Sequence, residues 1–202
     1  MEFLKYLVSI LVITDPIFAA ILVAGLVDAK EVKTVAFKSS LTVFIAAMVT
    51  LLIGDGLLKL LGINLYSIKI FGGLLLLQMA FQMIQARAPK AKHTEEESKA
   101  ATEKEDISII PIGIPVLFGP GAFTTILIFK EEATHFCSFL LLFLAILIST
   151  GVIYFIIRNS VHLAKRMGTT GVNVTVRIFG LFVGALGSQF IVDGVKHLWL
   201  QG

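Results

Sequence analysis

The residues able to do chemistry in this chain are few, and they gather where proline or glycine interrupts an apolar run. One place is Thr14-Asp15-Pro16. The other is Gly119-Pro120-Gly121-Ala122, followed after Phe123 by Thr124 and Thr125. Proline removes a backbone donor and clashes with the preceding turn, so each place should break a helix. At membrane depth such a break survives only if it is buried in protein or lines a polar cavity, because lipid cannot satisfy the freed groups. The chemistry on offer is recognition of charge. A new helix start presents unpaired N–H groups and the positive dipole end to a carboxylate, and the preceding helix end presents carbonyls to an ammonium. In the second break the expected donors are Gly121, Ala122 and Phe123, with the Thr124 and Thr125 hydroxyls one turn in and carbonyls near Leu117 and Phe118 as acceptors. Glycine there lets a ligand approach the backbone closely.

Asp15 is the sharpest single residue. An acid at the centre of a lone span costs about 2.5–3.5 kcal/mol on insertion scales and is a functional candidate by default. Two readings stand: Asp-Pro is a favoured cap and first-turn pair, so Asp15 caps a second half-helix, or it caps and also binds an ammonium or a proton. Thr14 reads as local structure, with a place on a cavity wall as the alternative. Gln78 and Gln82, one turn apart, and Ser188 with Gln189 are candidates to line the cavity, weighed against hydrogen bonding between helices. Gly180, Gly184 and Ser188 recur every four residues and predict a close-packing face. Ser149, Thr150 and Tyr154 could line a path, although hydroxyls in membrane helices usually bond their own backbone. Lys38 and Lys69, near predicted span starts, can snorkel.

Other chemistries find no support. The four histidines, His93, His135, His162 and His197, are scattered, and no HExxH, paired carboxylates on one helix face or Gly-x-Ser-x-Gly elbow occurs, so no catalytic residue, metal site or cofactor is expected. The single cysteine, Cys137, excludes an internal disulfide and a cysteine-based zinc site and is read as packing.

The elements that must position these residues follow from composition. Of 202 residues 56% are hydrophobic and 15% charged, against about 25% charged in soluble domains, which makes this a polytopic membrane protein. Six spans are expected near 3–27, 35–58, 64–86, 107–129, 136–158 and 175–199, the first retained rather than cleaved. Between the third and fourth lies a charged segment at 87–106 with no large apolar side chain, a cytoplasmic linker between residues 1–86 and 107–202. Lys5, Lys59, Lys69, Lys130 and Lys196 fall on one side of the membrane and the other 12 of 17 basic residues on the opposite side, which places both termini outside. The net charge of +3 therefore reads as topology and not as nucleic-acid binding.

The two halves look like diverged copies. Ile70-Phe71-Gly72 recurs as Ile178-Phe179-Gly180, and Asp15-Pro16 as Gly119-Pro120. Three spans per half invert the second copy relative to the first. The expected fold is all-α, six transmembrane helices in two inverted repeats, the first and fourth broken mid-membrane; interrupted segments at corresponding positions point to a transporter's site. That site takes in Asp15, Pro16, Gly119, Pro120, Gly121, Ala122, Thr124 and Thr125.

Several of these blocks together carry a resemblance. Asp15-Pro16, Gly-Gly-Leu-Leu-Leu at 72–76, Gly-Ile-Pro-Val-Leu-Phe-Gly-Pro-Gly-Ala-Phe-Thr-Thr at 113–125, and Arg-Ile-Phe-Gly-Leu at 177–181 with Gln-Phe-Ile-Val-Asp-Gly at 189–194 resemble the MarC family of integral membrane proteins, over essentially the whole chain. The family includes transporters of small neutral amino acids, which implies glycine or alanine as partner, a coupled proton or sodium ion, and a prokaryotic cytoplasmic membrane. After Asp15-Pro16 the chain departs from the family pattern, with Phe18, Ala19 and Ile21 where many relatives have Gly-Asn and a second proline. Substrate identity, direction of transport and oligomeric state stay open, and a non-transporting scaffold or regulatory protein, or an exporter of another small metabolite, is the alternative.

Overall fold

The structure, a computed structural model, describes residues 1–85 and 108–201, so the charged segment at 87–106 lies outside the described residues. Among those described the chain is all helical. The helices are α1 (Glu2–Thr14), α2 (Pro16–Leu26), α3 (Val32–Leu60), α4 (Leu65–Ile84), α5 (Ser108–Leu117), α6 (Pro120–Glu132), α7 (Phe136–Arg158) and α8 (Ser160–Gln201). Five stretches are long and apolar enough to cross a membrane: Glu2–Leu26, Val32–Leu60, Leu65–Ile84, Phe136–Arg158 and Thr170–Trp199. The stretch expected at 107–129 is not among them: two non-helical residues, Phe118 and Gly119, part the π-helical α5 from α6, whereas Asp15 alone parts α1 from α2.

Local chemistry sets the ends. Asp15 stands between α1 and α2 with φ 38°, the only non-glycine residue at positive φ among those described, and Pro16 opens α2. Gly62 at φ 66° closes α3, its N–H and that of Ile63 returning to the carbonyls of Lys59 and Leu58. The Asn64 side chain then caps α4 by accepting from the Tyr66 N–H at 2.8 Å. The segment before the second break winds as a π-helix: with no N–H at positions 111 and 115 the usual ladder is incomplete, and the Phe118 N–H reaches back five residues to the Gly113 carbonyl at 3.0 Å. The loop expected before the sixth span is instead helical from Ser160, with a kink where Gly168 takes φ 59°.

Packing runs mainly between the two halves of the chain. α4 and α8 form the most extensive pair, antiparallel. A Cβ on Gly73 would lie 2.6 Å from the Gly187 carbonyl oxygen, and one on Gly187 would lie 2.8 Å from the Gly73 carbonyl oxygen, so neither position accepts a side chain. Gly180 and Gly184 abut Met83 and Ala80 on the same face. The third rung of the ladder is thus Gly187 and not Ser188, which is exposed. α3 packs on α7, and most of the other pairings come in matched sets: α1 on α7 with α5 on α3, α2 on α7 with α6 on α3, α2 on α8 with α6 on α4, and α1 on α6 with α5 on α2. α1 also touches α8. The outer surface is apolar, as along α3, where Phe37, Leu41, Ile45, Val49 and Leu52 are exposed at helical spacing.

Candidate functional site

The two breaks meet. Ile13, at the end of α1, lies against Gly121, at the start of α6, where a Cβ would come within 3.6 Å of the Ile13 side chain and 2.7 Å of Leu76. On one side of this contact is a cavity of about 190 Å³ bounded by Gly119, Pro120, Gly121 and Ala122 from the second break, Gln78 and Gln82 from α4, and Ile13 from the first. Leu75, Met79 and Val116 complete its wall. On the other side is a much narrower cavity of about 10 Å³, walled by Thr14, Thr125, Ser149 and Thr150 together with aliphatic side chains and Phe118. Ile13 and Ala122 belong to both.

Electrostatics differ at the two helix starts. At α2 the Asp15 carboxylate accepts from the Phe18 N–H at 3.1 Å, so this positive end already has its anion. At α6 the capping residue is Gly119, which has no side chain to offer. The first bond inside α6 runs from the Phe123 N–H to the Gly119 carbonyl at 3.1 Å, so Phe123 is not a free donor and leaves the expected set. Pro120 has none. The N–H groups of Gly121 and Ala122 remain, on residues that line the larger cavity.

The sequence-predicted residues therefore separate. Gly119, Pro120, Gly121, Ala122, Gln78 and Gln82 are brought together around one cavity. Thr14 and Thr125 face the narrow one. Thr14 also donates to the Ile10 carbonyl at 2.9 Å, the local bond expected of it. Asp15 and Pro16 are buried but line neither cavity. Thr124 is taken up by packing, its side chain filling the place a Cβ on Gly72 would need. Ser188 and Gln189 stand on the exposed face of α8, the first donating to the Gly184 carbonyl and the second to Asp193, and line neither cavity. Ile13, Leu75 and Met79 escape sequence reasoning because an aliphatic wall residue has no signature apart from core packing.

One end of the molecule is shut by charge and aromatic packing. Lys5 of α1 pairs with Glu132, the last residue of α6, at 2.6 Å, and Lys69 of α4 approaches the same carboxylate at 4.0 Å. Lys69 is 8% exposed, its amine covered within this cluster and not open to solvent as snorkelling would have it. Lys130 pairs with Asp55 of α3 at 2.6 Å. Beneath them the fully buried ring of Phe129 packs between Tyr6 and Phe190, with centroids at 4.9 and 6.4 Å. Cys137, expected in packing, is exposed.

Comparison with known proteins follows the same lines. UPF0056 membrane proteins of Aquifex aeolicus (32% identical; 97% of this chain and 93% of that one) and Methanocaldococcus jannaschii (33%; 83% and 81%) are similar to this chain. So is the UPF0056 membrane protein YhcE of Escherichia coli (32%; 80% and 75%). No solved structure matches. Residues 1–199 match the MarC family profile, and this chain belongs to the MarC family of integral membrane proteins.

Proposed function

We propose that this protein is a secondary transporter of small neutral amino acids such as glycine or alanine, and not an enzyme, with the substrate held beside its two helix breaks in a prokaryotic cytoplasmic membrane. The observation that carries the reading is the cavity of about 190 Å³ at the uncapped start of α6. It is smaller than the roughly 300–1,000 Å³ of pockets for drug-sized ligands, which suits a metabolite of a few heavy atoms. The N–H groups of Gly121 and Ala122 and the positive dipole end receive the carboxylate. The side-chain carbonyls of Gln78 and Gln82 and the free carbonyls at the end of α5 are the acceptors for the ammonium.

We further propose six spans in two inverted repeats, with α5 and α6 together forming the fourth. The matched helix pairings and the equivalent positions of Asp15-Pro16 and Gly119-Pro120 support this. Gln82 lies in the last turn of α4 and Lys69 in its second turn, about 20 Å apart along the axis. With both termini outside, the cavity lies toward the cytoplasm, and the cluster of Lys5, Glu132, Lys69, Lys130 and Asp55 closes the outer face. Rocking one repeat against the other would exchange which face is shut.

The test is uptake of labelled glycine and alanine by proteoliposomes. Flux above that of empty vesicles, saturable and capable of counterflow, is expected. Absence of flux for every neutral amino acid tried would sink the reading in favour of a scaffold, or a carrier of another metabolite.

A further inference from the structure

The end of the molecule opposite the ion-pair cluster carries charge of one sign. No aspartate or glutamate occurs between Glu132 and Asp193, and Arg158, His162, Lys165, Arg166 and Arg177 all fall within that interval. At the clustered end Lys5, Lys69 and Lys130 are matched by Glu132 and Asp55. At this end none of the ion pairs among the described residues involves Arg158, Lys165 or Arg166, and all three side chains are exposed. Asp28 and Glu31, the acids of the turn between α2 and α3, leave them unmatched.

The helices fix the depth of these cations. Phe136 and Phe155 are exposed near the two ends of α7 and stand roughly 28 Å apart along its axis, close to the ~30 Å of a hydrocarbon core. Tyr154 adds the amphipathic ring that favours such an edge. Arg158 follows one turn later, at headgroup depth. Its guanidinium donates to the Tyr154 hydroxyl at 2.8 Å and lies 5.8 Å from that ring's centroid, so it is held in place with most of its donors unused. As consecutive spans, α7 and Thr170–Trp199 run in opposite directions; the chain leaves α7 at Asn159 and kinks again at Gly168, φ 59°. The helical stretch between, residues 160–167, therefore crosses this end of the molecule at the bilayer edge. It is amphipathic. Val161, Ala164 and Met167 are half-buried, Val161 against the core, whereas His162, Lys165 and Arg166 are exposed at the spacing of one helix face.

We propose that Arg158, Lys165 and Arg166 form a seat for the headgroup of an anionic phospholipid at the edge of the bilayer. The planar guanidinium forks take phosphate oxygens two at a time, and the lysine adds a point charge. A zwitterionic headgroup brings a cation of its own, which three uncompensated cations repel. Exposed Phe155, one turn before Arg158, lies where the acyl chains of the same lipid run. The seat is independent of the transport reading.

The test is thermal unfolding of the purified full chain in a neutral detergent, titrated with phosphatidylglycerol or phosphatidylcholine. A saturable rise in melting temperature with phosphatidylglycerol, much smaller with phosphatidylcholine and weakened by salt, is expected. Each cation at a charged membrane surface is worth about fivefold in affinity, so Arg158→Gln should raise the half-saturating concentration about fivefold and Lys165→Gln with Arg166→Gln about 25-fold. Lys59→Gln, at an exposed lysine of the opposite end, should leave it unchanged. Equal responses to the two lipids, or a wild-type response in the triple variant, would overturn the seat. An equal loss in Lys59→Gln would reduce it to net charge, and an equal rise with inorganic phosphate would make it a site for a free anion; either overturns it. A phosphatidylglycerol response that emerges only with Glu95→Gln, Glu96→Gln and Glu97→Gln would show the chain's own acidic segment seated there in place of lipid, and would overturn it as well.

Discussion

Asp15 and Gly119 occupy the same place in two breaks and differ by one carboxylate. At Asp15 the side chain satisfies the new helix start from within the protein; at Gly119 no side chain caps it. Asparagine caps as well as aspartate and also tolerates positive φ, so Asp15→Asn should unfold at the wild-type temperature and insert normally. Asp15→Ala should lose about 1 kcal/mol. Equal stability of the two variants in detergent would remove the cap as the role of this residue. Because the carboxylate lines neither cavity, amino-acid exchange is expected to persist in Asp15→Asn; its loss, with folding intact, would return the acid to the transport site. Gly121→Val places a side chain against Leu76 and Ile13 and across the free N–H groups, so uptake should fall at least tenfold with an overpacking cost of about 1–3 kcal/mol. Wild-type uptake in this variant would take the carboxylate site away from α6.

At the scale of elements, α4 and α8 are held by backbone contact, and ion pairs join α1 and α4 to α6 and α6 to α3. Gly73→Leu or Gly187→Leu drives a side chain into the partner's carbonyl, where only a backbone shift can relieve it, and should abolish the folded, monodisperse protein seen by size exclusion. Gly56→Ala in α3, with nothing within 4 Å of the added atom, should leave stability unchanged or raise it by up to about 1 kcal/mol. Similar behaviour of the two sets would mean that α4 and α8 do not cross at Gly73 and Gly187. The Lys5–Glu132 pair is partly exposed and worth at most about 1 kcal/mol to stability. Glu132→Gln should therefore barely move the unfolding temperature while increasing the accessibility of the outer face. Cysteine placed at Tyr6 in a Cys137→Ser background should react faster with a maleimide when Glu132 is Gln, and an unchanged rate would argue against closure by this pair.

For the whole molecule, the decisive question is orientation. Native Cys137 is exposed at the start of α7 and should be labelled in intact cells by a membrane-impermeant maleimide. A cysteine replacing Ser98, in a Cys137→Ser background, should react only after permeabilisation. The reverse pattern would invert the topology and place the larger cavity toward the outside.

The sequence by itself determined the solvent and the breaks. A chain 56% hydrophobic with few charges has no soluble alternative, and proline and glycine act through local backbone sterics, so Asp15-Pro16 and Gly119-Pro120 interrupt their helices whatever surrounds them. Five of the spans, and Gly180 and Gly184 as contact positions, were legible for the same reason: each depends on residues near in sequence. Which side of a break faces which cavity depends on distant residues. Only the tertiary structure decided that Gln78 and Gln82 stand beside Gly121 while Ser188 and Gln189 face outward, that Thr124 is spent on packing against Gly72, and that Thr14 and Thr125 meet Ser149 and Thr150. A helix in a membrane is apolar on every side, so its sequence carries no stripe to tell lipid from cavity, and the direction of a polar side chain is fixed only once its neighbours are packed. The opening that matters most, the uncapped start of α6, was written locally in Gly119, but the space in front of it came from α1 and α4.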